Sequence, residues 1–396
     1  MEVLGMCKKN NIFIAATLLT AISSPSLAQT KLEPTGFLAE ATTLVGYDDN
    51  ILRTSEEYEK SDAFIQLKPE LSLTGLYGKH KFVGEYEGLY SLYSDHSEVN
   101  YNDHRLDLRG IFDHSYNLNT VISAGYIRQH EEPWDTDRIF NDFTEFTIFD
   151  RYYGDFKVDY GREDSQGRLT FAYRNTTTDF RNNDQDYRDR IENRYTGRFY
   201  YRIGATTRIV TEAIYTTADY DEVTDEFERD NDNIVVRTGL AWDITNLISG
   251  EVKVGYQKRD YDLEQAIDSD GLSYEAELKW LPSTYTTWKL KARRLTLDSS
   301  LEDTGGFLRS LYSLELDHSF TDYTKLYGMV RYTDDELLTS TGREDNGYAA
   351  TLSLKHSLNR LIEVGIAATY ENRDSNIDAA IFTSRTIKAT FKLTLD

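Results

Sequence analysis

Arginine side chains recur at a spacing that would place them on one face of an extended strand. Within Arg190–Arg202, the residues Arg194, Arg198 and Arg202 follow one another at every fourth position, and successive side chains of a β-strand point to opposite faces. A guanidinium group presents a fork of donors that matches a carboxylate. Corresponding faces elsewhere carry further candidates, namely Arg151, Arg174, Tyr200, Lys289, Lys291, Arg293 and Arg331. These residues predict a polar inner surface that binds anionic groups, such as those of carboxylated sugars.

Carboxylates on the same predicted faces offer a simpler explanation for the arginines. Glu192, Glu275 and Glu315 would lie beside them, so the charges could pair with one another, as they would in any water-filled barrel. The inward tyrosines Tyr153 and Tyr327 could likewise stack against sugar rings or only fill space between charged side chains. The sequence leaves these alternatives open.

Catalytic signatures are missing from the chain. It contains neither a Gly-x-Ser-x-Gly elbow nor a His-Glu-x-x-His pair. His96, His104 and His130 lie in or near acidic segments, so an Asp–His pair there stays open, whereas the other four histidines lie at short turns: His80, His114, His318 and His356. We therefore expect no enzyme.

Acidic segments separate the polar faces along the chain. They are residues 48–62, 130–142, 179–190, 219–232, 260–270 and 334–345. Oxygen-rich loops can bind Ca²⁺, but none of these follows the regular carboxylate spacing of an EF-hand loop. We expect solvated loops and predict no metal and no cofactor.

Alternation of polar and apolar residues predicts how the strands are oriented. In Arg190–Arg202, Ile191, Tyr195 and Phe199 form an apolar face opposite the arginines. In the segment 387–395, Ile387, Phe391 and every second residue between them likewise oppose lysines and threonines. A slip of one residue would place Arg or Lys in lipid, at a cost of about 2–4 kcal/mol each at the bilayer midplane. The pattern therefore fixes the register if the apolar face meets hydrocarbon.

Short polar turns divide these strands into hairpins. We place them near residues 77–80, 113–119, 161–167, 203–206, 243–247, 281–284, 318–323 and 356–360. Eight turns give sixteen strands, and one more strand at each end gives about eighteen. The sequence thus predicts an all-β, transmembrane, antiparallel up-and-down barrel of about 18 strands, with 16 as the alternative. It would have short periplasmic turns and long acidic extracellular loops.

The N-terminal segment has the layout of an export signal. Lys8 and Lys9 precede an apolar run over residues 12–22, and the small residues Ser26 and Ala28 precede a predicted cleavage point at Gln29. We predict a signal peptide at residues 1–28 and a single barrel domain at residues 29–396. The only cysteine, Cys7, lies in the predicted signal peptide, so the mature chain would contain no disulfide.

Charge and aromatic content indicate where the chain resides. The formal net charge is −23, which disfavours nucleic-acid binding. The 29 tyrosines suit membrane interfaces, where one end of the ring is wet and the other dry. We expect the outer membrane of a Gram-negative bacterium, with outer-membrane lipid and the barrel-assembly machinery as partners.

The stretch VGYDDNILRT (Val45–Thr54) at the end of the first predicted strand resembles the start of the putative beta-barrel porin 2 family. The Tyr-rich hairpins and the "D-H-S" turns are similar too. The resemblance implies an outer-membrane barrel of the kind associated with exopolysaccharide biosynthesis loci, and it carries no catalytic residues. The chain departs from usual barrels at its end, FKLTLD, where an aromatic last residue is common.

The resemblance implies a channel or accessory protein for export of exopolysaccharide or capsular polysaccharide. Its partners would then be a polysaccharide or oligosaccharide solute and separate synthesis and export proteins. The same fold would serve a general or sugar-selective diffusion porin. A barrel enzyme, or a surface barrel whose acidic loops bind a partner or cations, are further alternatives.

Overall fold

The computed structural model describes residues 35–134, 145–162, 164–221, 229–245, 247–262, 268–299, 301, 306–338 and 342–395. The predicted signal peptide lies outside these ranges. Four short 3-10 helices lie in the connections, at Glu56–Tyr58, Ser97–Val99, Asp186–Arg188 and Asp378–Ala380. The strands are β1 (Gly36–Asp48), β2 (Asp62–Tyr77), β3 (His80–Tyr93), β4 (Tyr101–Ser115), β5 (Leu118–His130), β6 (Ile148–Tyr160), β7 (Gly167–Phe180), β8 (Arg190–Arg202), β9 (Thr207–Tyr220), β10 (Asn231–Thr245), β11 (Ile248–Tyr261), β12 (Ser269–Ser283), β13 (Thr286–Asp298), β14 (Gly306–Ser319), β15 (Thr324–Leu337), β16 (Glu344–Ser357), β17 (Ile362–Ser375) and β18 (Phe382–Leu395).

The described strands form one closed antiparallel sheet. Each strand pairs with the next, and β1 also pairs with β18, from Ala39 opposite Leu395 to Asp48 opposite Thr386. The sheet has 18 strands, so the prediction of 18 is confirmed over the alternative of 16. One predicted turn is displaced, because β12 continues to Ser283 and the chain turns at residues 284–285.

The two faces of the strands differ as the alternation predicts. In β8, Ile191, Tyr195 and Phe199 are 40–43% exposed on the outside, whereas Arg198 and Tyr200 are 8% and 5% exposed inside. Apolar side chains outside and charged side chains inside are the arrangement of a barrel in lipid. No helix among the described residues has the length and apolar content needed to cross a bilayer.

Outward-facing tyrosines mark the extracellular membrane interface. In several hairpins a tyrosine hydroxyl donates to a polar side chain on the next strand, two residues nearer the extracellular end than its direct partner. Examples are Tyr126 to Asp150 at 2.9 Å, Tyr173 to Asn193 at 2.8 Å, Tyr215 to Asp232 at 3.0 Å and Tyr332 to Asn346 at 2.6 Å. A ring in hydrocarbon with its hydroxyl bonded to a polar group above it suits this boundary.

The wall has one irregular seam, between β12 and β13. Their ladder runs up to the pair Glu275 and Arg293 and stops there, although β13 stays paired with β14 to its extracellular end. Beyond that point β13 leans inside β12, because the Thr296 hydroxyl lies 3.2 Å from that of Ser269 and the Thr296 carbonyl accepts a bond from Arg259 of β11 at 3.1 Å. The extracellular part of β13 therefore lies inside the barrel.

Candidate functional site: the barrel lumen

The lumen holds a cavity of about 940 Å³ in the described part of the chain. Its lining includes sixteen lysines and arginines but only eleven aspartates and glutamates. The lining thus has a formal excess of five positive charges, in a chain whose net charge is −23. The lining of the lumen therefore has the opposite sign of formal charge from the chain as a whole.

Several cations of this lining lack a carboxylate partner. Among the described residues, no carboxylate oxygen lies within 4.0 Å of the side-chain nitrogens of Arg105, Arg128, Arg151, Arg194 or Lys388. The arginines lie on β4, β5, β6 and β8, and the lysine lies on β18. Arg151 donates to the Thr178 hydroxyl at 3.1 Å. These groups can therefore receive an anionic solute without first losing an ion pair.

Two other predicted candidates line the same cavity but already have partners. Arg174 is bonded to Asp155 on the neighbouring strand and lies 5.1 Å from the ring centroid of Tyr153. Arg331 lies 4.4 Å from a ring centroid of Trp134. Together with Arg151 and Arg194, these are the predicted candidates found in the lining of the cavity.

Arg198 and Tyr200 belong instead to a buried cluster on the β8–β12 side. Glu212 is fully buried and is bonded by Arg198, by Arg237 at 2.9 Å and by Lys253 at 3.2 Å. The Tyr200 hydroxyl donates to Glu251 at 3.3 Å. The charges of these residues neutralise one another, which fits the explanation by mutual pairing better than ligand binding. The cluster fills this side of the barrel interior.

The remaining predicted candidates lie outside the main cavity as well. Lys289 pairs with Asp317 at 3.2 Å, and Lys291 pairs with Glu315 at 2.8 Å. Arg202 is the last residue of β8, and Arg293 is the last β13 residue that pairs with β12. The sequence placed all of these on inner faces, but it did not distinguish the open part of the interior from the filled part.

The described start of the connection between β5 and β6, residues 131–134, extends into the extracellular mouth of the lumen. Trp134, only 6% exposed, packs edge-to-face against Phe382 of β18, with 6.3 Å between ring centroids. Arg373 of β17 donates to the Trp134 carbonyl at 2.8 Å. A Cβ on Gly347 of β16 would approach the indole to 2.8 Å, so glycine makes room for it. Residues 131–134 thus reach from β5 to β16, β17 and β18 and narrow the entrance.

The segment that carries the family resemblance also enters the lumen. Arg53 forms ion pairs with Asp48 at 2.8 Å and with Glu371 of β17 at 2.7 Å. Burial opposes the charge of Arg53, but the two carboxylates outweigh it and raise its pKa above the ordinary value. Asn50 is fully buried and donates to the Thr54 carbonyl at 2.7 Å. The sequence identified this stretch only as a signature, and the structure gives it the role of anchoring a loop inside the mouth.

The histidines considered for catalysis form two Asp–His pairs that hold loops. His130 lies 2.9 Å from Asp103, is 2% exposed and stacks 3.8 Å from the Tyr101 ring. His96 lies 3.2 Å from Asp62. His104 bonds the Tyr86 hydroxyl at 3.0 Å. The described residues contain no cluster of three or more potential metal ligands.

Comparison with known families identifies the chain. The model of the family described as putative beta-barrel porin 2 matches residues 37–395, so the chain belongs to this family, as the resemblance implied. No curated protein sequence gives a significant match. The protein is an outer-membrane β-barrel porin located in the bacterial outer membrane.

Solved structures share the fold. The outer membrane protein OpdK from Pseudomonas aeruginosa matches with a TM-score of 0.50 and 12% identity, covering 91% of this chain and 99% of its own. A structure of Pseudomonas aeruginosa OpdK with vanillate gives the same values. At this identity the likeness concerns the fold alone.

Proposed function

We propose that this barrel is a diffusion channel for small hydrophilic anions, above all carboxylated solutes. The excess of five cations in the lining of the lumen is the observation that carries this proposal. Carboxylated sugars and other organic acids carry the charge that this interior attracts. OpdK has been crystallised with vanillate, but the preference of this barrel for anions follows from its own lumen arginines.

Passage would follow from weak, repeated binding. A low-dielectric wall lined by one sign of charge concentrates counter-ions in the lumen. Arg105, Arg151 and Arg194 on three different strands offer successive positions for a carboxylate, none of which encloses it. Binding that is strong enough to draw a solute in, yet spread over several sites, also permits release.

Polysaccharide export, which the resemblance implied, has less support than diffusion of small solutes. A polymer needs a continuous wide bore, whereas Trp134 and Arg53 place loop segments inside the mouth. The buried Glu212 cluster fills one side of the barrel. A small solute can pass beside such elements without moving them, so the porin alternative suits this lumen better.

Planar-bilayer recording of the purified protein tests the proposal. In a KCl gradient the reversal potential should have the sign of an anion-selective pore, and a galacturonate gradient should carry measurable current. Cation selectivity, or no conductance at all, would contradict it. Deletion of the gene distinguishes the channel from the export alternative. Loss of an exporter would trap polymer in the periplasm. Loss of a diffusion channel would leave secretion intact and slow the uptake of organic acids.

A further inference from the structure

We propose that the extracellular end of β13 is a gate that moves between the lumen and the barrel wall. The gate consists of residues 294–298, which stay paired with residues 306–310 of β14. This inference rests on the proposed channel function and adds a mechanism that controls it. Three observations carry it: an interrupted ladder, a strand end with a different environment on each face, and an ionic clamp at its last residue.

The interrupted ladder leaves room for a second position of β13. Extending the register of Glu275 opposite Arg293 would pair Ser273 with Leu295 and Gly271 with Leu297. Those backbone pairs are absent, and side chains take their place: the Ser273 hydroxyl donates to the Arg294 carbonyl at 3.4 Å, and Arg259 donates to the Thr296 carbonyl. β12 keeps its register with β11, with Gly271 opposite Gln257. It is therefore β13 that leaves the wall, and its place beside β12 has no described strand in it.

The two faces of the gate meet different surroundings. Leu297 and Phe307 line the cavity. Thr296, on the opposite face of β13, contacts the inner wall, with its hydroxyl 3.5 Å from the Gln257 amide and 3.2 Å from the Ser269 hydroxyl. The end of β13 therefore lies as an inner layer between the cavity and β12, whereas β14 stays paired with β15 from Phe307 opposite Leu337. Returning β13 to the wall would withdraw the Leu297 side chain from the centre of the passage.

The clamp holds the tip inside by charge. The Asp298 carboxylate accepts a bond from the Tyr220 hydroxyl at 2.7 Å. It also lies 3.3 Å from Arg188, 3.5 Å from Arg190 and 3.4 Å from Arg229. Three arginines share this carboxylate, so removing its charge removes the group that ties the end of β13 to all three. Asp298 is thus the positioning residue of the gate.

The alternative position keeps polar groups in a polar layer. With β13 in the wall, Thr296 and Asp298 would face outward, on the side of Arg294, whose guanidinium lies 3.2 Å from Glu336. Thr296 and Asp298 would then lie nearer the extracellular end than the outward-facing tyrosines Tyr274 and Tyr312, whose hydroxyls contact each other across the seam. The loss of the Asp298 ion pairs would be offset in part by new backbone hydrogen bonds to β12. The two positions of β13 are thus the two states that a switch requires.

Two engineered disulfides distinguish the positions. Ser269→Cys with Thr296→Cys joins side chains that are in contact now and locks the gate inside. Leu272→Cys with Thr296→Cys can close only if β13 joins β12, because Leu272 is 55% exposed on the outside whereas Thr296 now contacts Ser269 on the inside. Val252→Cys with Ala276→Cys joins strands that are already paired and serves as the control. The only native cysteine is Cys7, in the predicted signal peptide, so each bond is unambiguous.

Conductance in planar bilayers, with and without reductant, is the measurement. We expect the inner lock to lower the conductance at least twofold, the wall lock to raise it at least twofold, and the control to leave it unchanged. Asp298→Asn should raise the open fraction without any disulfide. The gate is refuted if the wall lock never forms, as judged by mass spectrometry, or if both locks conduct like the control. If neither the wild type nor the wall-locked protein conducts, the channel function itself fails, and the gate with it.

Discussion

Arg188 and Glu131 join two extracellular loops through a double hydrogen bond, with Nη2 2.8 Å from Oε1 and Nη1 3.1 Å from Oε2. Glu131 begins the β5–β6 loop, whereas Arg188 precedes β8. Both side chains are largely buried, at 11% and 7% exposed. Since Arg188 also pairs with Asp298 of β13, one guanidinium connects three parts of the mouth. The loops at the entrance are therefore coupled.

Arg188→Gln should loosen the β5–β6 loop. Removing one partner of a buried ion pair leaves the other charge unpaired and costs about 3–5 kcal/mol. We expect the backbone amide of Glu131, which donates to the Thr147 carbonyl at 2.7 Å, to exchange hydrogen at least tenfold faster. Arg181→Gln removes a more exposed arginine from the same β7–β8 loop and is the matched control. Equal exchange in both variants would contradict the coupling.

Trp134→Ala should widen the entrance. The indole is held by Arg331, Arg373 and Phe382, so its removal frees the described end of the loop. We expect a larger single-channel conductance and passage of larger neutral sugars in liposome swelling. Gly347→Ala should act in the same direction, because its methyl group would displace the ring. A conductance unchanged in both variants would show that Trp134 does not narrow the passage.

Arg194→Gln combined with Arg151→Gln should reduce anion selectivity without a large loss of stability. Neither arginine has a carboxylate within 4.0 Å among the described residues, so no buried anion is left unpaired. We expect the reversal potential to shift toward zero or to cation preference. Arg198→Gln is the contrasting variant, since it leaves buried Glu212 with one cation fewer. That variant should unfold at lower denaturant concentration and keep its selectivity.

Asp189 should make the β7–β8 loop sensitive to pH. Burial raises the pKa of this carboxyl group from 3.8 to about 6, with help from the carboxylates of Asp179, Asp186 and Asp221 and against the bond donated by the Phe180 amide. A raised pKa means that the folded loop binds its proton more tightly than the unfolded loop does. Loop stability should therefore rise as the pH falls from about 6 toward 4, and be lost as the pH rises through 6.

Hydrogen exchange of the β7–β8 loop across this pH range is the measurement, after correction for the intrinsic exchange rate. Asp189→Asn should abolish the dependence, whereas Asp184→Asn in the same loop should leave it in place. Retention of the full dependence in Asp189→Asn would assign it to another group.

Leu352→Arg should destabilise the barrel, and Thr351→Arg should not. The two neighbours face opposite ways, since Leu352 is 58% exposed on the outside and Thr351 lines the lumen. An arginine on the lipid face near the midplane costs about 2–4 kcal/mol. Guanidinium-induced unfolding in lipid vesicles measures the difference. Equal midpoints would mean that this face does not meet hydrocarbon.

The sequence was sufficient to predict the strands of the barrel wall, because the alternation of polar and apolar residues and the positions of the turns depend on short stretches of sequence. It also contained the information for some of the ion pairs between neighbouring strands. With a turn placed at residues 203–206, Arg198 falls within one position of its observed partner Glu212, and with a turn at 161–167 Arg174 falls within one position of its partner Asp155. Folding each hairpin about its predicted turn would have shown that these arginines are neutralised and would have left Arg194 as the stronger candidate.

Contacts across the lumen join residues that are far apart in the sequence, so no local pattern predicts them. Arg188 and Asp298 are 110 positions apart, and Arg373 and Trp134 are 239 positions apart. Alternation says which side of the wall a residue faces, but it does not say how far a loop reaches across the interior. The inward lean of β13 left one local sign, because Arg294 falls on the same face as Trp288 and Leu290, but this sign does not say where the strand goes. The arrangement of the extracellular mouth and of the gate could therefore be found only from the structure.

The ladder between β1 and β18 has a consequence for biogenesis. Asp48 accepts bonds from Ser384 and Thr386, 336 and 338 positions away. Contacts of such separation form slowly, and until they form, two strand edges have no partner. Hydrocarbon does not tolerate open edges, so a nascent polypeptide delivered up to β17 cannot become a stable cylinder. Carriers must keep the whole chain soluble in the periplasm until its last hairpin arrives, and C-terminal truncation should produce a target for degradation and no smaller pore.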